Sequence, residues 1–179
     1  MLLVIAILLV LVLIGIARCI VIVPQSNAYV TEWLGVYKDT WGAGLHLRTP
    51  FVERVSRKVS LKEEAADFPP QPVITRDNVT MMIDTVVFFQ VFDSAKAAYE
   101  VANLEVAMIA LVQTNIRTVI GSMDLDESLS QRETINAQLL SVVDHATNPW
   151  GIKVNRIEIR DIQPPRDLVD SMARQMKAE

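Results

Sequence analysis

VTMMIDTVVFFQVF, Val79–Phe92, is the stretch on which the class of fold turns: fourteen residues without Gly or Pro. Its odd positions (Val79, Met81, Ile83, Thr85, Val87, Phe89, Val91) are almost wholly apolar, while the even ones include Thr80, Asp84 and Gln90. Alternate side chains of a strand point to opposite faces, so a period of two held this long predicts a central strand. Directly after it the period changes to about 3.6. Asp93 can cap a short Ala-rich helix through Tyr99, and Asn103 a longer one carrying Leu104, Met108 and Leu111 on to Ile120, with Gly121 as its stop. Strand followed by helices, with more strand on either side, predicts an α+β fold.

Toward the carboxyl end, Asp124 with Glu127 and Ser130 with Glu133 have the spacing of capping boxes. The second opens a helix whose Ile135, Leu139, Val142 and Ala146 share a face, and Asn148-Pro149 ends it. From Ile152 the chain is strand again. Its apolar parity shifts from Ile152 and Val154 to Ile157 and Ile159, which predicts a bulge near Arg156. Pro164-Pro165 sets up a last helix with Leu168, Val169, Met172 and Met176 on a stripe. Leu168, Met172 and Met176 are the candidate oligomer interface, because no later residue in this sequence could cover them.

Toward the amino end, Arg76-Asp77-Asn78 is a polar turn, and Phe68-Pro69-Pro70-Gln71-Pro72 marks a boundary or an edge crossing, since proline cannot donate to a ladder. Residues 25 to 75 read as strand and turn, a β-rich unit broken at Gly35 and Gly42-Ala43-Gly44. Between Arg54 and Lys62, one parity is mainly apolar and the other carries Arg54, Lys58 and Lys62. That second face is either a candidate lipid-headgroup contact or a solvated strand face.

The first twenty-three residues, Met1–Val23, hold one charge, Arg18, and are otherwise almost entirely aliphatic. As a continuous helix they would rise roughly 35 Å, against a hydrocarbon core of ~30 Å. They predict a transmembrane anchor running through Leu2, Ile5, Leu9, Leu13 and Ile16, with Arg18 snorkelling at its end and Pro24 closing it. A cleaved leader would want a basic start and a small-x-small site, and a buried helix would seldom be aliphatic on every face. Arg18 and Lys38 both follow the apolar run and no Lys or Arg precedes it, which predicts a single-pass protein with its soluble part in the cytoplasm.

Beyond Val23 the charges are 16 basic against 21 acidic, a net −5 that argues against nucleic-acid binding. The single cysteine, Cys19, lies inside the apolar run, so no intrachain disulfide can form. No HExxH, GxSxG, P-loop or GxGxxG is present, and the two histidines, His46 and His145, stand far apart in sequence. Asp124, Asp126 and Glu127 form an acidic cluster that helix capping explains. Neither catalytic residues nor a cofactor or metal site is expected, and the two methionine pairs read as packing.

Val23-Pro24-Gln25 directly after an apolar segment, Gly44-Leu45-His46 followed by Pro50-Phe51, and the run from Pro70 to Thr80 resemble the stomatin/prohibitin superfamily, also called SPFH or band 7. So do Asn103-Leu104-Glu105, the segments Ile116–Gly121 and Leu125–Glu127, Arg132-Glu133, and the run Trp150–Lys153 continued through Glu158–Ile162 to Pro164-Pro165. Within that family the chain is most similar to the bacterial paraslipin-like quality-control membrane proteins. The resemblance implies four parts: an anchor (1–23), a β-rich SPFH1 subdomain (24–78), an α/β SPFH2 subdomain (79–164) and the start of a long C-terminal coiled-coil helix (165–179). It implies no enzyme but a scaffold in the bacterial inner membrane, assembling into large ring- or cage-like homo-oligomers that organise a membrane microdomain and support protein quality control. The alternative it implies is a dedicated regulatory subunit of an ATP-dependent membrane protease or a channel. Implied partners are the lipid bilayer, further copies of itself, an NfeD-like membrane protein and an FtsH-type membrane protease. Ala43 stands where the family has Pro, and Arg48-Thr49 where it has an apolar pair, departures that count against lipid contact by that loop.

Overall fold

The computed structural model describes residues 2 to 163. The helix expected from Pro165 onward, with Leu168, Met172 and Met176, lies outside the described residues. The order is helix α1 (Leu2–Cys19), strands β1 (Ile20–Val23), β2 (Asn27–Trp33), β3 (Val36–Trp41), β4 (Gly44–Leu47), β5 (Glu53–Ser60), β6 (Glu64–Ile74) and β7 (Thr80–Val91). Helices α2 (Ser94–Tyr99), α3 (Leu104–Gly121), α4 (Leu125–Ser130) and α5 (Arg132–Thr147) follow, then a 3-10 turn at Asn148–Trp150 and strand β8 (Ile152–Gln163). The mixed α+β class is as the change of period predicts.

The central strand is β7, flanked antiparallel by β6 and β8. Its inward side chains Met81, Ile83 and Val87 are buried under Met108, Val112, Ile116 and Ile120 of α3 and Ile135, Leu139 and Val143 of α5. β8 keeps Ile152, Val154, Ile157, Ile159 and Ile162 all buried because it carries two extra residues. The register passes from Phe88↔Arg156 to Phe89↔Val154 and from Asp84↔Asp161 to Thr85↔Ile159, so Asn155 and Arg160 are the bulged positions. The bulge expected near Arg156 is therefore present, one residue earlier, and a second accompanies it. The outer edge of β8 is covered by α5: Ile159 N–H donates to Asn136 Oδ1 (3.2 Å) and Val154 N–H to Asp144 Oδ1 (3.1 Å).

The second sheet is β3-β2-β5, and β1 pairs separately with β4. β6 pairs with β7, so the run 64–74 belongs with the helical lobe rather than with the β-rich one. Pro69 and Pro70 sit where the β6–β7 register shifts, between Phe68 and Gln71, on a strand that has only one partner. That is the edge reading of the prolines, and the chain crosses between sheets at Leu61–Glu63 instead.

Two expectations change. The aliphatic run is not one helix to Pro24: α1 ends at Cys19, and Ile20–Val23 pair residue by residue with Leu47–Gly44. Four β-branched residues in a row suit a ladder whenever a partner strand exists, and that partner is twenty-four residues downstream. Ser130 is no N-cap either. It is the last residue of α4 and its hydroxyl donates back to the Asp126 carbonyl (2.7 Å), while α5 starts after Gln131 without a side-chain cap. The buried stripe of α5 is accordingly Ile135, Leu139, Val143 and Thr147, and Val142 is exposed. Asp93, Asn103 and Asp124 do cap their helices.

Candidate membrane-facing surface

Side chains from Leu3 to Arg18 are exposed on every face of α1. Among the described residues the helix with the length and composition to cross a bilayer is α3, of 18 residues, and its buried stripe makes it a core helix. α1, also 18 residues in all, rises about 27 Å at ~1.5 Å per residue, slightly under a ~30 Å hydrocarbon core. An aliphatic helix whose side chains pack on nothing else among the described residues is a surface for lipid or for another protein.

The exit of this helix is fixed. The Arg48 backbone N–H donates to the Cys19 carbonyl (2.6 Å) and its guanidinium to the Arg18 carbonyl (3.3 Å), so one amide and one basic side chain each satisfy an orphan carbonyl at the negative end of the helix. With the β1–β4 ladder this leaves no loose linker between α1 and the rest.

Beside that exit stand two apolar turn tips. Leu34, between β2 and β3, has φ 50° and is 72% exposed; Phe51, before β5, has φ 74° and is fully exposed. The two turns are tied by Leu34 N–H donating to the Val52 carbonyl (3.0 Å). Val36 adds a third exposed apolar side chain. Left-handed backbone at a bulky residue costs about 1–3 kcal/mol, and exposing such side chains returns nothing in water. Something holds the strain. Glu53 is buried and pins the Phe51 turn from both sides, its carboxylate accepting from Thr49 N–H (3.0 Å) and its own N–H donating to the Thr49 carbonyl (3.1 Å). Lys38 Nζ, seated over the Trp33 ring at 5.0 Å, donates to the same carboxylate (3.0 Å). Burial pushes the Glu53 carboxyl up, but the Thr49 amide, Lys38 and Arg48 outweigh it and leave it below the usual carboxylate range.

Arg54, Lys58 and Lys62 do not form one basic face. β5 carries a bulge at Ser56, where the register passes from Val30↔Arg57 to Thr31↔Val55, and the parity breaks there. Arg54 is bound to Glu32 through Nε (2.9 Å) and Nη2 (2.8 Å), Lys58 lies over the Tyr29 ring at 5.1 Å, and Lys62 lies past the end of the strand. Glu32 is the hub that the sequence does not reveal. It is buried and also accepts from Ser56 Oγ (2.6 Å) and Tyr99 OH (2.9 Å), the latter from α2 of the other lobe. Ser56, Arg54 and Tyr99, in that order, hold its carboxyl at about 2, so it is ionised at any physiological pH.

The acidic cluster is structural in its geometry. Arg76 Nε donates to Asp124 Oδ1 (2.9 Å), and Asp77, held low by the Thr75 hydroxyl, accepts from Leu125 N–H (3.3 Å). The Arg76-Asp77-Asn78 turn thus clasps the start of α4. His46 stacks on Trp41 at 5.1 Å, and His145 lies in the last turn of α5. Among the described residues no group of three His, Cys, Asp or Glu could hold a metal ion.

The family model described as SPFH domain / Band 7 family matches residues 21–179. The chain belongs to the SPFH/band 7 family. An uncharacterized protein of Mycobacterium tuberculosis is 45% identical over 174 residues, which is 97% of this chain and 46% of that protein. An uncharacterized protein of Methanocaldococcus jannaschii is 42% identical over 164 residues, 92% of this chain and 82% of that one. A stomatin homolog of Pyrococcus horikoshii is 40% identical over 174 residues, 97% of this chain and 65% of the homolog. The chain spans about half the length of the first of these relatives. Membership of the SPFH/band 7 family points to membrane association and to a scaffold rather than a catalyst. Leu34, Phe51 and Glu32 are what the sequence reading missed; the available signal was a Leu and a Phe in turns, where polar residues are usual.

Proposed function

We propose that this SPFH/band 7 chain is a non-enzymatic scaffold anchored in the bacterial inner membrane, closest in type to the paraslipin-like proteins. α1 crosses or enters the bilayer, Leu34, Val36 and Phe51 rest in the leaflet where it emerges, and copies assemble laterally into large rings or cages that organise a microdomain for protein quality control. One observation carries this reading: an aliphatic helix exposed on all sides leads without slack into a strand pair beside two strained, exposed apolar turns. Strain and apolar exposure that water does not reward are explained if lipid receives both side chains. Phe51 stands forward despite the Ala43 and Arg48-Thr49 departures, and Arg48 has work of its own at the helix end. The soluble part faces the cytoplasm. Confinement to a plane raises effective concentration, so modest lateral contacts, including the stripe Leu168, Met172 and Met176, can close a ring.

The test is made on the full chain expressed in bacteria. It should resist carbonate extraction, elute from mild detergent as a large particle, and stay uncut in intact spheroplasts treated with protease. The double substitution Leu168→Asp and Met172→Asp should shrink the particle while circular dichroism is unchanged. A carbonate-soluble chain would end the anchor reading, and a monomeric wild type would end the scaffold reading.

A further inference from the structure

Of the four outer edges of the two three-stranded sheets, three are protected or short of donors and one is not. β8 is capped by Asn136 and Asp144, β6 carries Pro69, Pro70 and Pro72, and β3 carries the charged pair Lys38 and Asp39. The last four residues of β5, Arg57–Ser60, have no proline, lie past the Ser56 bulge and form one wall of a groove of about 460 Å³. Of these four, alternate residues turn their backbone away from β2. Leu61 N–H donates to the Ser26 carbonyl (2.9 Å), which points residue 61 toward β2, and the alternation of an antiparallel ladder then turns the N–H and C=O of Ser60 and Lys58 outward. The opposite wall is Glu64–Ala66, where β6 starts, and Phe89, Val91, Ala97, Leu104 and Met108 supply an apolar floor.

The charges sort by element. Arg57 and Lys58 belong to β5, Lys58 with its amine over the Tyr29 ring. Glu64 and Glu105 belong to β6 and α3, and neither carboxylate has a salt-bridge partner among the described residues. An acyl chain could use the floor and set its carboxylate by Arg57, but it would leave the strand donors idle and both glutamates unpaired. A peptide strand uses all three features.

We propose that this groove takes an extended segment of a partner protein by strand addition to β5, with alternate apolar side chains on Phe89, Leu104 and Met108 and a basic side chain reaching Glu64 and Glu105. Main-chain pairing supplies affinity in such a mode, and the alternate pockets and the two carboxylates select the sequence. The site lies between the two lobes, so a seated strand would also tie the β3-β2-β5 sheet to the β6-β7-β8 sheet.

The test uses the full chain in detergent and a fluorescein-labelled octapeptide of alternating valine and threonine ending in two lysines. Fluorescence anisotropy should show saturable binding. The substitution Ser60→Pro, which removes an outward donor at a free edge and leaves the β2 ladder intact, should weaken it at least tenfold. The double substitution Glu64→Lys and Glu105→Lys should do the same for this peptide and restore binding of a counterpart ending in two aspartates. Circular dichroism and particle size should not move in either variant. No saturable binding, or binding unaffected by both variants, overturns the proposal. So does a fluorescent fatty acid that saturates the groove with no loss in Ser60→Pro, which would make it a lipid site.

Discussion

Glu32 decides how the two lobes hold together, and its chemistry shows why a charge is tolerated in a buried place. A buried carboxylate is costly unless its lone pairs are filled, and here Ser56, both nitrogens of the Arg54 fork and Tyr99 fill them. Three of these four bonds lie within the β-rich sheet, and the fourth, from Tyr99 of α2, joins that sheet to the helical lobe, with Tyr37 packed edge-on to Tyr99 at 5.9 Å. The folded carboxyl titrates at about 2 against an ordinary 4.5. A depressed folded value means stability that is full above the unfolded value and is lost as pH falls through the window from 4.5 toward 2. Glu32→Gln should therefore lower the thermal midpoint at pH 7, and its deficit against wild type should shrink as pH is brought from 5 to 2. Paired melting curves across that range check it; a deficit independent of pH would mean that shape rather than charge is what the site needs.

Among the elements, the helices were legible where a cap is encoded locally and illegible where it is not. Asp93 and Asn103 accept from Lys96 N–H (3.1 Å) and Val106 N–H (3.2 Å), within three residues, so the sequence alone places both helix starts. Ser130 and Glu133 have the same spacing, but α4 already occupies Ser130, and a one-residue break at Gln131 suffices to begin α5. The buried stripe of α5 runs by steps of four from Ile135 through Leu139 to Val143, rather than by a step of three to Val142. β1 was hidden for a different reason: Ile20–Val23 are as apolar as the helix before them, and only pairing with Leu47–Gly44 tells them apart. Likewise Ser56 breaks the parity of β5 through a bulge that no local pattern announces. The two serine and asparagine positions give a direct comparison. Asn103→Ala should cost about 1 kcal/mol, as loss of an N-cap does. Ser130→Ala should cost less than about 0.5 kcal/mol, since a hydroxyl bonded back to its own helix adds little. Urea unfolding of both variants measures the difference, and equal costs would restore Ser130 as a cap.

At the scale of the molecule, the helix and the apolar turns act together only because the junction between them is stiff. α1 leaves at Cys19, whose carbonyl is held by Arg48, and the next residue already pairs with Leu47. Three residues after Arg48 comes Phe51, on a turn that Glu53 pins at both ends. Depth of the helix in a bilayer should thus set the depth of Phe51, with no slack to absorb a change. Inserting Gly-Ser-Gly-Ser between Cys19 and Ile20 gives that slack without removing any apolar surface. A nitroxide placed by Phe51→Cys, in a chain carrying Cys19→Ser, reports the depth by its collision with oxygen and with a water-soluble nickel complex. In the uninterrupted chain the label should sit below the headgroups; with the insertion it should move toward water, while the chain remains resistant to carbonate. An unmoved label would mean that the Leu34 and Phe51 turns find the leaflet by themselves. A label that is aqueous in both chains would mean that the turns face something other than lipid, and that their strain is held for a protein partner.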